Sequence, residues 1–126
     1  MIRKMSLALT FALTLALPLT LSGPAQAGSC GYNQCWGAVG IGPGTLFGFS
    51  YGQISENDAL NYMWNECPQC DRYYTFYNAC GAIAKAPDGS WGSGWGDTRA
   101  LAEQYARQTC SKYGSGCQTA VWACSQ

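Results

Sequence analysis

From residue 36 onward, apolar and polar positions alternate in short runs broken by Gly and Pro, and one outline occurs twice. Setting segments 36–52 and 80–96 against each other, 44 positions apart, pairs Gly37 with Gly81, Ala38 with Ala82, Val39 with Ile83 and Pro43 with Pro87. The same offset pairs Phe47 with Trp91, Gly48 with Gly92, Tyr51 with Trp95 and Gly52 with Gly96. Self-similarity of this period predicts one supersecondary unit used twice. In each copy two runs of period two flank a turn: 36–41 and 46–51 around Gly42-Pro43-Gly44-Thr45, then 81–85 and 90–95 around Ala86-Pro87-Asp88-Gly89. Pro and Gly at those places are hairpin-turn chemistry.

The period then changes to that of a helix. Ser55 stands where an N-cap belongs, with Asp58 three residues on as a capping-box-like partner. Thr98, or Asp97 just before it, holds the same place in the second copy. With a one-residue shift the helices align, Ala59, Tyr62, Met63 and Cys67 against Ala102, Tyr105, Ala106 and Cys110. The spacing i, i+3, i+4, i+8 predicts that each set is one buried helical face. Third strands follow at 73–79 and 118–123, rich in Tyr, Phe, Thr, Val and Trp.

The expected fold is therefore α+β: a small disulfide-rich single domain of two β-β-α-β repeats, about 36–80 and 81–124. The units are expected to form one antiparallel or mixed sheet with both helices covering a face, packed on each other through a pseudo-twofold. Forty-odd residues bury too little surface to stand alone, so no stable half-molecule is expected.

The second hairpin strands carry the candidate binding surface. Alternation puts Phe47, Phe49 and Tyr51 on one face with Gly48, Ser50 and Gly52 opposite, and Trp91, Ser93 and Trp95 on one face with Gly92, Gly94 and Gly96 opposite. Glycine rows let a helix or a neighbouring backbone come close. The aromatics either fill a small core short of Leu and Ile or, at Trp91 and Trp95 with Phe47 and Tyr51, form an exposed platform for a sugar or a partner protein.

Ahead of the repeats, Arg3 and Lys4 precede an apolar run over residues 5–21, and Ala25-Gln26-Ala27 follows in an A-x-A arrangement. This predicts a secretory signal at 1–27, cut after Ala27. A membrane anchor fits less well, because the run is about 17 residues, against ~20 for a span, and Pro18 interrupts it. Lipidation at Cys30 is the third reading; the usual Leu three residues before such a cysteine is missing, and an odd cysteine would be left over. Removal of Arg3 and Lys4 leaves 28–126 with five Lys/Arg against seven Asp/Glu, a formal charge of −2. Arg72, Lys85, Arg99, Arg107 and Lys112 are scattered, so no nucleic-acid partner is expected.

All eight cysteines lie in that exported part, which argues for disulfides formed in an oxidising compartment, secreted or periplasmic. Cys67 ends one helix with Cys70 next, and Cys110 ends the other with Cys117 after a Gly-rich loop, which suggests Cys67–Cys70 and Cys110–Cys117. Cys80 and Cys124 occupy equivalent places at the ends of the third strands, leaving Cys30 for Cys35, although spacing alone leaves the pairing of these four open. A redox Cys67-Pro68-Gln69-Cys70 centre is disfavoured because a helix C-terminus disfavours thiolate. A zinc site from Cys67, Cys70, Cys110 and Cys117 is disfavoured by export. No metal or cofactor is expected.

The chain contains no histidine, which removes Ser-His-Asp and Cys-His nucleophile systems and histidine metal sites. Carboxylate-pair hydrolysis would have to use Glu56, Asp58, Glu66, Asp71, Asp88, Asp97 or Glu103. Most of these stand where turns, caps and first helical turns want acids.

The segments Trp36-Gly37-Ala38-Val39, Asn78-Ala79-Cys80-Gly81-Ala82-Ile83-Ala84, Trp91-Gly92-Ser93-Gly94-Trp95-Gly96 and Val121-Trp122-Ala123-Cys124 resemble a bacterial domain-of-unknown-function family, number 4189, over about 36–124. This chain departs from it in the first repeat, at Gly42-Pro43-Gly44-Thr45 and the short Cys67–Cys70 loop. The resemblance implies an exported small α+β domain with no established catalytic residues. The expected function is a non-enzymatic protein that binds another protein in the periplasm or outside, as an inhibitor or immunity-like factor. A glycan or peptidoglycan binding module and, more remotely, a carboxylate hydrolase are the alternatives.

Overall fold

Pro43 and Gly44 close the first hairpin, where Gly42 N donates to Leu46 O at 2.9 Å, and Gly89, at φ 91°, closes the second by donating its N–H to Ala86 O at 3.0 Å. The computed structural model describes residues 30–126, so the expected leader over 1–27 lies outside the described residues. The elements run β1 (Trp36–Ile41), β2 (Phe47–Gln53), α1 (Glu56–Glu66), β3 (Arg72–Tyr77), β4 (Ala79–Lys85), β5 (Trp91–Gly96), α2 (Arg99–Cys110) and β6 (Gln118–Ser125). Ser55 Oγ accepts from Asp58 N at 3.1 Å and Thr98 Oγ1 from Leu101 N at 3.2 Å, so Thr98 is the second cap. Asp58 returns no side-chain bond to Ser55, because its carboxylate is one carbon shorter than the Glu of a full capping box.

The single sheet expected from the sequence is two. One has the order β2-β1-β3 and the other β5-β4-β6, each antiparallel with its first strand in the middle. They stack face to face, and the helices lie on opposite outer faces, α1 on the first sheet and α2 on the second. The reason is the apolar pattern of the central strands. β1 and β4 are buried almost throughout, on both faces. Ala38, Ala59, Met63, Cys67 and Cys70 form the α1 layer, and Ala82, Ala84, Ala102, Ala106 and Cys110 the α2 layer. Val39, Ile41, Phe76, Ile83 and Val121 point the other way and meet between the sheets. One six-stranded sheet with both helices on the same side would leave that third set in water.

The chain passes between sheets at Asn78, which takes φ 50°, a left-handed conformation that Asn tolerates better than most residues. Its Oδ1 accepts from Cys35 N and its Nδ2 donates to Asn33 O, both at 2.9 Å, fastening the N-terminal loop to the corner. Because of this turn the expected third strand ends at Tyr77, and Ala79 and Cys80 open β4 instead. Phe76, just before the corner, lays its ring over both central strands: a Cβ at Gly37 would lie 2.6 Å from its Cζ, and one at Gly81 would overlap its Cδ1.

Tyr62 and Tyr105, expected on the buried helical faces, are 57% and 45% exposed. Each helix lies so close to its sheet that only small or slender side chains fit beneath, and the tyrosines are displaced to the flanks. The glycines of β2 and β5 make this approach possible. A Cβ at Gly48 would come 2.9 Å from Met63 O, and one at Gly94 would come 2.7 Å from Ala102 O and overlap Ala106 N. Four disulfides join Cys30 to Cys35, Cys67 to Cys70, Cys80 to Cys124 and Cys110 to Cys117. Cys80 and Cys124 are directly opposite partners on β4 and β6.

Candidate functional site

Stacking two three-stranded sheets leaves strand edges open, and β3 and β5 present theirs on the same side. Two adjoining grooves run there, sharing Tyr74 of β3 and Trp95 of β5. One, of about 540 Å³, straddles the free edge of β3 between Trp36, Glu56, Thr75 and Tyr77 on the α1 side and Tyr74 and Trp95 on the other. The second, of about 600 Å³, straddles the edge of β5, with Asp97, Leu101 and Tyr105 facing Tyr74.

Alternation along the strands explains the lining. Tyr74 and Phe76 point between the sheets, while Tyr73, Thr75 and Tyr77 point toward α1. Tyr77 lies against Trp36 with ring centroids 4.8 Å apart, and Tyr73 meets Trp64 of α1 edge-on at 5.3 Å. Thr75 Oγ1 donates to Glu56 Oε1 at 2.9 Å, which holds the Glu56 carboxylate over the middle of β3. Partial burial pushes the Tyr74 phenol above its ordinary pKa, so it stays protonated and can donate a hydrogen bond. Trp95 is 57% exposed, although the glycines flanking it in β5 are buried under α2. Glu56 and Asp97 carry the only formal charges among the described residues lining the two grooves.

A family model described as a domain of unknown function, DUF4189, matches residues 36–124, nearly all of the described chain. The chain belongs to the DUF4189 family. This DUF4189 domain is similar to the protein in the NMR structure of Rv1813c from Mycobacterium tuberculosis, with 20% identity, 98% of each chain covered and a TM-score of 0.58. Likeness at that identity concerns the fold alone. No curated protein matches the chain.

Of the aromatic positions singled out in the sequence, the DUF4189 fold puts only Trp95 in the grooves. Trp91 is half-buried against the cluster between the sheets. Phe47 and Tyr51 sit on β2 across the domain, where Phe47 borders the start of β6 and Tyr51 its end. Phe49 and Tyr51 there lie near-parallel, centroids 6.5 Å apart. The four do not form one platform, because β2 and β5 are the far strands of different sheets. Tyr74, Trp36, Tyr77 and Glu56 were not anticipated as a group. The signal for Tyr74 and Tyr77 is a run of aromatics on both faces of one strand, Tyr73, Tyr74, Phe76 and Tyr77, free of Gly and Pro; Trp36 and Glu56 come from other elements and carry none.

The carboxylates do not gather. Asp71 pairs with Arg72 at 3.3 Å, Glu103 with Arg99 at 3.2 Å, and Asp88 accepts from Ser90 N at 2.9 Å. All eight cysteines are bonded, and no cluster of three or more metal-capable side chains occurs among the described residues. Nor is any helix among them long and apolar enough to cross a membrane. Four disulfides are compatible with an oxidising compartment.

Proposed function

We propose that this DUF4189 chain is exported, loses residues 1–27 as a leader, and works in the periplasm or outside the cell as a non-enzymatic protein that binds another protein. The observation that carries this reading is the aromatic groove around Trp95 and Tyr74: large rings with polar tips, open to solvent, on a covalently stapled sandwich. Tyr and Trp in such settings supply contact area at little entropic cost and are enriched among residues that dominate binding energy. The absence of histidine and the dispersal of the carboxylates support a role in binding rather than catalysis. We read the two β-β-α-β halves as copies related by an approximate twofold.

A second reading rests on the polar groups beside Trp95. Glu56, Thr75 and Asn78 next to an exposed indole would suit a sugar ring, as in a peptidoglycan-binding module. The two readings separate in one experiment. The oxidised protein and its Trp95→Ala and Phe47→Ala variants are used to capture partners from envelope and culture-supernatant fractions, with mass spectrometry. The same three proteins are titrated with cell-wall fragments by tryptophan fluorescence. The protein-binding reading expects one stoichiometric protein kept by wild type and Phe47→Ala and lost with Trp95→Ala. Retention that ignores Trp95, or glycan binding with no captured protein, would end it.

A further inference from the structure

Resting on the protein-binding reading above, the structure points to how the partner is held. We propose that the free edge of β3 pairs with an extended peptide segment bearing Lys or Arg, which adds to the sheet β2-β1-β3 as a fourth strand. β3 is the outermost strand of its sheet. Its sequence, Arg72-Tyr73-Tyr74-Thr75-Phe76-Tyr77, has high β propensity, no Gly or Pro, no bulge in its pairing with β1, and one charge at its end. Edge strands ordinarily carry charges, Pro or bulges that discourage further pairing, and β3 has almost none of these. The edge strand β5, with three glycines in six residues, is a poorer template.

The direction of the open hydrogen bonds follows from the ladder. Asn78 N donates to Cys35 O at 3.1 Å. In an antiparallel pair, inward-bonded residues alternate, so Phe76, Tyr74 and Arg72 exchange bonds with β1. The N–H and C=O groups of Tyr73, Thr75 and Tyr77 therefore point out of the sheet into the groove. A strand laid against them would alternate its own side chains between two environments. One set would meet Tyr74 and Trp95 between the sheets and favour apolar residues. The other would lie beside Thr75 on the α1 side, next to the Glu56 carboxylate, which Thr75 already positions. With Glu56 and Asp97 the only charges among the described residues lining the grooves, a cation on the incoming strand is the complement. The same charge argues against a second copy of this chain. Antiparallel pairing of β3 with its twin about Thr75 would bring the two Glu56 carboxylates together on the same face. Strand addition of this kind takes affinity from main-chain bonds and specificity from alternate side chains.

The test uses the oxidised protein and a displayed library of random linear octapeptides. The expected selection is a period-two pattern, apolar at alternate positions with Lys or Arg on the opposite face. The best peptide is then synthesised plain and in two N-methylated forms, one blocking the odd amides and one the even. Strand addition predicts that one parity loses at least about tenfold in affinity while the other binds nearly as the plain peptide, since only alternate amides face β3. Glu56→Gln should weaken a Lys-bearing peptide about three- to fivefold and flatten its salt dependence. Thr75→Pro, which removes an outward N–H and no ladder bond, should abolish binding. If that variant does not fold, the two N-methylated peptides decide alone. Failure to select any linear peptide, equal tolerance of both N-methyl parities, or a β3-dependent dimer in sedimentation would each overturn the proposal. If a protein is still captured through Trp95 in any of those cases, the protein-binding reading survives without strand addition.

Discussion

Replacing Gly94 by alanine tests the account of how α2 meets its sheet. The added Cβ would stand 2.7 Å from Ala102 O and from Tyr105 C, and would overlap Ala106 N. All three are backbone atoms of one helix, so no side chain can rotate out of the way. To restore ordinary contact near 3.5 Å, α2 must lift by roughly 1 Å, a gap that forfeits a quarter to a half of each dispersion contact beneath it. The contacts at risk are those of Ala102, Ala106 and Cys110 with Cys80, Ala82 and Ala84. Overpacking of this kind costs about 1–3 kcal/mol, and the rigid neighbours place Gly94→Ala toward the upper end. Domains of this size lose about 4–8 °C of Tm per kcal/mol, so the expected drop is about 10–20 °C. The assay is thermal unfolding by circular dichroism with the disulfides intact, beside Ser93→Ala, whose side chain points to the opposite face of β5. A Gly94→Ala transition within about 2 °C of the parent would refute the close-approach reasoning.

The remaining expectations concern the corner, the seam between sheets and the halves. Asn78→Ala loses two side-chain hydrogen bonds and an easy left-handed conformation, an expected cost of about 2–4 kcal/mol in denaturant titration. Asn78→Gly keeps the backbone permission and should cost less; the reverse order would contradict the role given to φ. Ser125 Oγ accepts from Gly52 N at 2.8 Å, tying β6 to β2, whereas Ser50 Oγ donates to Ala59 O at 2.6 Å, a carbonyl already within the helix. Ser125→Ala orphans an N–H and should cost about 1–3 kcal/mol, more than Ser50→Ala at about 1 kcal/mol, with equal shifts in midpoint counting against that distinction. Separate peptides 30–78 and 79–126 should each be unfolded by circular dichroism, since Val39 and Ile41 in one and Ile83 and Val121 in the other have no cover without the partner sheet. An ordered spectrum from either alone would contradict this.

The elements were legible because each carries local chemistry. Pro43 and Pro87 mark the hairpins, Ser55 and Thr98 mark the helix starts, and the alanines at helical spacing mark the faces that are buried. The layering was not. Val39, Ile41, Ile83 and Val121 can be seen as apolar in the sequence, but whether they face a helix or a second sheet depends on the turn at Asn78, and an Asn between two β-rich runs does not announce a left-handed corner. The exposure of Tyr62 and Tyr105 has a different cause, the closeness of each helix to its sheet. Periodicity says which residues share a face and nothing about how closely that face is approached. Trp95 was legible as a candidate by alternation, whereas its neighbours Tyr74, Tyr77 and Glu56 come from other elements and meet it only through the stacking of the sheets.

The ring of Phe76 rests on Gly37 of one central strand and Gly81 of the other. Three positions, one in each central strand and one near the end of β3, therefore share one pocket of space, and none can vary freely. A family member with a side chain at either glycine should carry a smaller residue in place of the phenylalanine, and one that keeps the phenylalanine should keep both glycines. In an alignment of relatives these columns would change together, which makes them a compact marker for chains that stack their sheets in this way.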